Sequence, residues 1–323
     1  MSRYTLCSCA AAAMLAGCGG SQPPVGAPGA MPQTSALAAH ADRGRSWMLP
    51  GPTSGNDLLY LAGRKGALYV LTYPQGKLVG EVSLPYAPNS GGLCSDGNGD
   101  VFVPDGAEIV EYAHGGTQPI ATLGDGSGYY EPIGCAVDST TGNLAVTNYM
   151  DYPYHGNVAI YADAQGDPTY YSDSEIPDPN FCGYDNRGNL FIDGGVPLAE
   201  LSSGSGSFTN ITLNKRIPEA GQVQWDGKHI TVTSNNANKI YRLQISGSAG
   251  KLIGTTHLDG PGRHAFSQSW IQGSTIIAPI GPGQADDKVG FWNYPRGGKA
   301  FTILRPGSNA EVVGATVSVA PSR

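Results

Sequence analysis

The 323-residue chain carries 26 Asp and Glu against 19 Lys and Arg, a formal net charge of −7, and only 14% of it is charged where about 25% is usual. Gly and Pro, at 47 and 24 residues, make up roughly a fifth of the chain against about 12% on average, a turn-rich composition poor in helix formers. No run of Lys or Arg is present to follow a phosphate backbone, which excludes nucleic acid as a partner, and 40% hydrophobic residues exclude a disordered chain.

The chain opens with Arg3, a weakly apolar, alanine-rich segment from Tyr4 to Met14, and Leu15-Ala16-Gly17-Cys18. A positive start, a short apolar middle and small residues before a cut site describe a secretory signal over residues 1–18. The last four residues resemble a bacterial lipobox, in which Cys18 is acylated and becomes the new first residue. Several acyl chains hold far more firmly than one, so the membrane is an expected partner through this lipid anchor. Gly19, rather than Asp, follows Cys18, which favours the outer membrane or cell surface of an exporting bacterium. Residues 19–51 are largely Gly, Pro, Ala, Ser and Gln without periodicity, and are expected to be a disordered tether. Beyond the first twenty positions no apolar run approaches the ~20 residues a spanning helix needs, so the body at 52–323 is expected to be soluble.

Within the body a segment repeats. Gly92-Leu-Cys-Ser-Asp96-Gly-Asn-Gly-Asp-Val-Phe-Val103 returns as Gly134-Cys-Ala-Val-Asp138 through Val146, as Gly183-Tyr-Asp185 through Ile192, and in weaker form around Asp226 and Gln272. Each copy reads as strand, tight turn, strand, and the repeated Asp reads as a turn former through Asx hydrogen bonding. Two further strands are expected after each hairpin, as in Glu108–Tyr112 followed by Pro119–Leu123. Four short strands per unit is the make-up of a propeller blade. Third-strand anchors at Tyr73, Tyr112, Tyr161, Leu201, Ile245 and Tyr294 lie 39 to 49 positions apart, so six units fill the body. The first unit begins at Leu58-Leu59-Tyr60-Leu61 and lacks the Gly-containing opening strand. Gly314-Ala-Thr-Val-Ser318 matches that strand, so the C-terminus is expected to close the ring beside the first blade, removing exposed edges.

The pattern Gly-x-x-x-Asp-x-x-Gly-Asn-x-x-x-Val with later Ile-x-x-Tyr strands resembles NHL-type repeats and the wider six-bladed TolB-like and SMP-30-like β-propellers, over roughly residues 57 to 320. Segments such as Glu108-Ile-Val-Glu-Tyr-Ala-His-Gly-Gly-Thr117 also resemble a group of uncharacterised bacterial lipoproteins. The resemblance implies an all-β, six-bladed scaffold, and a scaffold does not fix an activity.

Seven residues before the turn position stand Asn89, Glu131, Asp178, Glu219 and Glu311, with Ala265 as the exception. Loops entering innermost strands lie at the mouth of a propeller's channel, so these side chains are expected either to form a solvated rim or to converge as a ring of oxygens for Ca²⁺ or a polyhydroxylated ligand. The ring is what an SMP-30-like hydrolase or lactonase would need, and the metal-dependent enzyme stands as the alternative to a non-catalytic binding or interaction module taking a protein, glycan or small molecule. No His-Glu-x-x-His, paired Cys-x-x-Cys or Gly-x-Ser-x-Gly motif is present. Asp105, Asn148, Asp193 and Asn235, just after the second strands, are expected to cap them. Of the cysteines in the body, Cys94 sits two before its turn residue and Cys135 and Cys182 three before. Alternation turns Cys94 to the opposite blade face. Cys94 and Cys135 are then placed to face one another, as a disulfide in an oxidising compartment or as two buried thiols.

Overall fold

The computed structural model describes residues 46–51, 55–86, 92–124, 131–150, 155–195, 197–234, 237–260, 268–280, 288–307 and 310–321. The chain divides into two units, Met1–Arg43 and Gly44–Arg323, and every described residue belongs to the second. The signal, Cys18, most of the tether, Asn89, Asn235 and Ala265 therefore lie outside the described residues.

The regular elements of the described residues are all strands, apart from a 3-10 turn at Ala162–Ala164. First come β1 (Trp47–Met48), β2 (Leu58–Gly63), β3 (Ala67–Thr72) and β4 (Leu78–Ser83). Next are β5 (Cys94–Ser95), β6 (Val101–Asp105), β7 (Glu108–Tyr112) and β8 (Pro119–Leu123), then β9 (Glu131–Val137), β10 (Leu144–Tyr149), β11 (Asn157–Tyr161) and β12 (Thr169–Tyr171). After these follow β13 (Cys182–Tyr184), β14 (Leu190–Asp193), β15 (Leu198–Leu201) and β16 (Thr209–Leu213), and β17 (Ala220–Trp225), β18 (Ile230–Ser234), β19 (Lys239–Ser246) and β20 (Ala249–Asp259). The last are β21 (Trp270–Gln272), β22 (Thr275–Ile280), β23 (Lys288–Asn293), β24 (Gly298–Lys299), β25 (Thr302–Leu304) and β26 (Val312–Ser318).

These strands form antiparallel meanders. β5–β8 and β9–β12 each make a four-stranded sheet, and β21, β22, β23 and β25 make another. A nine-stranded sheet contains the meanders β13–β16 and β17–β20, joined at their outer strands by a short parallel bridge between β16 and β20, with β24 added beside β20. The remaining sheet runs β1-β4-β3-β2-β26, so the C-terminal strand pairs with β2, Leu58 opposite Ser318 through Ala62 opposite Gly314. Innermost strands touch in a closed cycle: β26 meets β5, then β9, β13, β17 and β21 follow, and β21 returns to β26.

Trp47 and Met48, which composition groups with the tether, are paired with Glu81 and Gly80 of β4. The apolar triplet Trp47-Met48-Leu49 is the reason, since Met48 and Leu49 pack against the buried cluster of the first sheet.

Period-two alternation distributes each strand between two cores. Leu58, Tyr60 and Ala62 pack with Val101, Val103 and Tyr112 of the next meander, while Leu59 and Leu61 pack with Ile277, Val289 and Phe291 of the last one. Fully burying an aliphatic side chain of this kind stabilises by about 1.5–3 kcal/mol, so each sheet is held by apolar burial on both faces.

Turn chemistry sets the inner hairpins. Asp138 accepts from the Thr140 N–H (2.9 Å) and the Thr141 hydroxyl (2.6 Å), Asp185 from the Arg187 and Asn189 N–H groups (2.8 and 3.0 Å), and Asp226 from those of Lys228 and His229 (2.9 and 2.7 Å). Asp96 does the same with Asn98 and Asp100. The repeated Asp is an Asx-turn residue in each copy. Gly142 and Gly227 supply the positive φ, +76° and +94°, that these turns require.

Candidate functional site

Glu131 is the first residue of β9, Glu219 and Glu311 immediately precede β17 and β26, and Asp178 lies shortly before β13. Among the described residues no three His, Cys, Asp or Glu side chains are placed to hold a metal ion. The described carboxylates of the expected ring thus make no three-carboxylate metal group. Glu311 pairs instead with Lys65, 3.0 Å away, and Glu219 is exposed. A count of seven positions assumes even alternation, but the ladders of β9, β17 and β26 each carry a bulge near the start of the strand. A bulge inserts an unpaired residue and re-aims its neighbours. At Glu219 and Glu311 the backbone is left-handed, with φ of 46° at both.

The polar residues that end second strands tie neighbouring segments together. Asp105 accepts from the Tyr86 N–H at 2.7 Å, and Asn148 donates to Asn157 at 2.9 Å. Asp193, fully buried, accepts from the Phe181 N–H at 2.9 Å and the Gly195 N–H at 3.4 Å. Burial pushes its carboxyl up to about 7.

At the other end of the inner strands, next to the Asp turns, is a cavity of about 110 Å³. Its walls come from β5, β9, β13, β17 and β21. Cys94 and Cys135 line it as a disulfide joining β5 to β9, with Cα atoms 5.6 Å apart. Cys182 also lines it as a buried free thiol, its titration pushed up by burial. Three aromatic side chains complete the wall: Tyr184, whose phenol burial also pushes up, Trp225 and Trp270.

Polar groups of this wall are mostly committed to holding the ring. Gln224 donates to the Ile271 carbonyl and accepts from the Ile271 N–H, both at 2.8 Å, clamping β17 to β21. Ser95 donates to the Val317 carbonyl at 2.8 Å, and Trp270 to Gln272 at 3.2 Å. Gln222 is the exception. It is 4% exposed, its Nε2 donates to the Val223 carbonyl at 2.9 Å, and its Oε1 is buried with no hydrogen-bond partner. An unsatisfied buried acceptor costs about 1–3 kcal/mol.

Sequence reasoning went to the strand-entering loops and missed this end. A signal was present, because Gln222 and Gln268 stand at the repeat position that is glycine at Gly92, Gly134 and Gly314. Gly134 has room for no side chain, since a Cβ there would meet the Phe181 ring at 2.9 Å. Gln268 fills the same position by bonding neighbouring strands, accepting from Leu93 and Ala315 and donating to the Leu93 carbonyl.

A larger cleft of about 210 Å³ lies between the third and fourth meanders, lined by Asp138, Thr141, Asn143, Tyr171 and Tyr184 among others. Its Asp138 is occupied by Thr140 and Thr141, and Asn143 by the Asp163 N–H.

Solved structures share this architecture. A chain of the nidogen/laminin complex superposes with a TM-score of 0.60 at 14% identity, covering 82% of this chain and 100% of its own. The fold is a β-propeller. A protein of unknown function from Bacteroides caccae matches at TM-score 0.60 and 10% identity over 81% of this chain and 99% of its own. A functionally unknown protein from Desulfotomaculum acetoxidans matches at 0.51 and 11%, over 74% of this chain and 75% of its own. At these identities the likeness is one of fold alone. No family model matches the chain, and no curated protein sequence matches it.

Proposed function

We propose that this propeller has six blades, is exported and held at a bacterial outer membrane or cell surface by acylated Cys18, and serves as a binding module that catalyses nothing itself. The observation that carries the binding reading is the cavity at the hub, walled by five inner strands and by Tyr184, Trp225 and Trp270. Rigid walls suit such a role, because a preorganised site spends little of its interaction energy on ordering. Here the disulfide, the Gln224 clamp and the β2–β26 closure fix the inner strands. A disulfide between Cys94 and Cys135 supports an oxidising compartment, in keeping with the amino-terminal signal. The six-blade count is supported by the closed cycle of inner strands and by the repeat spacing.

Expressed as the full chain in a bacterial host, the protein is expected in the membrane fraction, and Cys18→Ser in the soluble fraction. Unchanged membrane partition of that variant would rule out the anchor. Mass spectrometry of what co-purifies tests the binding reading: a bound molecule present with the wild type and lost with Trp225→Ala supports the hub cavity as its seat.

A further inference from the structure

Resting on the proposed lipid anchor, we infer that the outer edge of the last meander docks on an anionic lipid surface, laying Phe301 and Ile303 into the headgroup layer between Lys299 and Arg305. Exposure alternates residue by residue along this edge. Lys299, Phe301, Ile303 and Arg305 are exposed, while Ala300, Thr302 and Leu304 between them are partly buried. The pattern follows from pairing: β25 bonds to β23 along one side only, with Ile303 opposite Gly290 and Leu304 opposite Val289, and successive side chains turn to opposite faces. Phe301 and Ile303 are each 55% exposed, even though the Phe301 ring meets Phe291 edge-on at 6.4 Å. Large apolar side chains flanked by cations make up an interfacial surface, in which the apolar groups enter the boundary layer and Lys and Arg meet anionic headgroups.

Charge and position single out this edge. The whole chain carries −7, yet residues 288–310 hold Lys288, Arg296, Lys299 and Arg305 and no Asp or Glu. Strand pairing brings Asp259 opposite Lys299 in the short β20–β24 bridge, and Glu311, next along the chain, is paired with Lys65. Other outer strands are covered or lack cations: β4 carries β1, β16 and β20 are joined, and β8 and β12 contain no Lys or Arg. Cations on an edge strand also deter pairing with another copy, but that role does not call for Phe301 and Ile303 between them. The edge lies near the entry of the anchored segment, since Leu304 fills the space beside Gly76 in the turn before β4, and β1 runs along that same β4. Residues 19–45 reach at most about 95 Å at ~3.5 Å per residue, so an anchor at Cys18 keeps the edge at high local concentration over the membrane. Alone, two apolar side chains bind less than the single acyl chain that already gives only marginal attachment, so an unanchored chain still fractionates as soluble.

The test places an indole at the edge and a quencher in the lipid. Full-chain Phe301→Trp and Tyr170→Trp are reconstituted into vesicles of equal parts phosphatidylglycerol and phosphatidylcholine with brominated acyl chains, and the wild-type fluorescence is subtracted. Tyr170 is on β12, the outer strand of a meander whose inner strand, β9, is three steps from β21 in either direction around the hub. It therefore marks the far side of the ring. Bromine quenches at short range and an apolar face sits about 5–10 Å into the boundary, so the indole at 301 is expected to be quenched about twofold more strongly than that at 170. Adding Lys299→Gln/Arg305→Gln is expected to remove the difference, each cation being worth about fivefold in binding. A difference that survives those two changes overturns the anionic surface. Ile303→Trp takes the place of Phe301→Trp if the latter does not fold. Equal or weaker quenching at 301 in a chain that stays with the vesicles overturns the docking and leaves the anchor standing, and a dimer broken by Ile303→Ser in that case gives the edge to a second copy. If the chain does not stay with the vesicles, the anchor reading falls, and titration of the free chain with the same vesicles decides the edge: stronger quenching at 301 sustains the docking, and its absence refutes it.

Discussion

Asp193 shows how one carboxyl couples this fold to pH. It sits at the end of β14 without solvent contact, and burial raises it from an ordinary 3.8 to about 7. The native state therefore keeps a proton through a range in which the unfolded chain has lost it. The stability that this proton brings is complete below the unfolded value and is lost as pH rises through about 7. Glu111, also raised to about 7 by burial and then by Asp100 and Asp96, acts in the same direction. Thermal melts are thus expected to give a lower midpoint near pH 8 than near pH 5, and Asp193→Asn to narrow the gap by raising the alkaline value. A variant that melts like the wild type at both ends would remove Asp193 from this account. At this scale the sequence was a good guide to turns, because an Asp beside Gly or Asn states its own local geometry. It marked Asp193 as a cap. The bond to Phe181, across to the strand before, depends on pairing that no local pattern carries.

Strands were legible almost residue by residue, since alternation and turn punctuation are local. The expected segments at 108–112 and 119–123 coincide with β7 and β8. What alternation could not supply was the bulge in the ladders of β9, β17 and β26, and it is there that the acidic residues were expected to point inward. Away from that bulge, parity holds. Cys94 and Cys135, assigned to opposing faces by their offsets from the turn, are bonded across adjacent meanders. Their sequence separation is 41, and closing a loop of that length in the unfolded chain is worth about 4 kcal/mol in the chain-entropy model. Cys94→Ala/Cys135→Ala is expected to lose stability of that order in denaturant titrations, and to melt identically with and without reductant. A midpoint equal to that of the oxidised wild type would show the link to be energetically idle.

For the molecule as a whole, the central fact is that the ring closes on a strand from the far end of the chain. Leu58 through Ala62 find their partners at Ser318 through Gly314, and His114 reaches the same seam, with Nδ1 2.6 Å from the Ser318 hydroxyl. Removing residues 312–323 should leave β2 with an open edge and expose Leu59 and Leu61, both fully buried in the closed ring. The truncated chain is expected to lose its cooperative unfolding transition, and a transition as sharp as that of the full chain would contradict the closure argument. Closure could be anticipated because a displaced repeat is written into the order of residues. The hub cavity could not, because its wall is assembled from five strands far apart in sequence. One further property follows from where the first sheet takes up the chain. β1 joins it at the perimeter, beside β4, with Ser46 and Leu49 bonding to Ser83 and Val79 on either side, while β26 occupies the hub of the same sheet. A pull on the chain ahead of Ser46 therefore meets this short perimeter strand before any other pairing of the sheet. Like a mechanical fuse, this strand is placed to yield before the seam does.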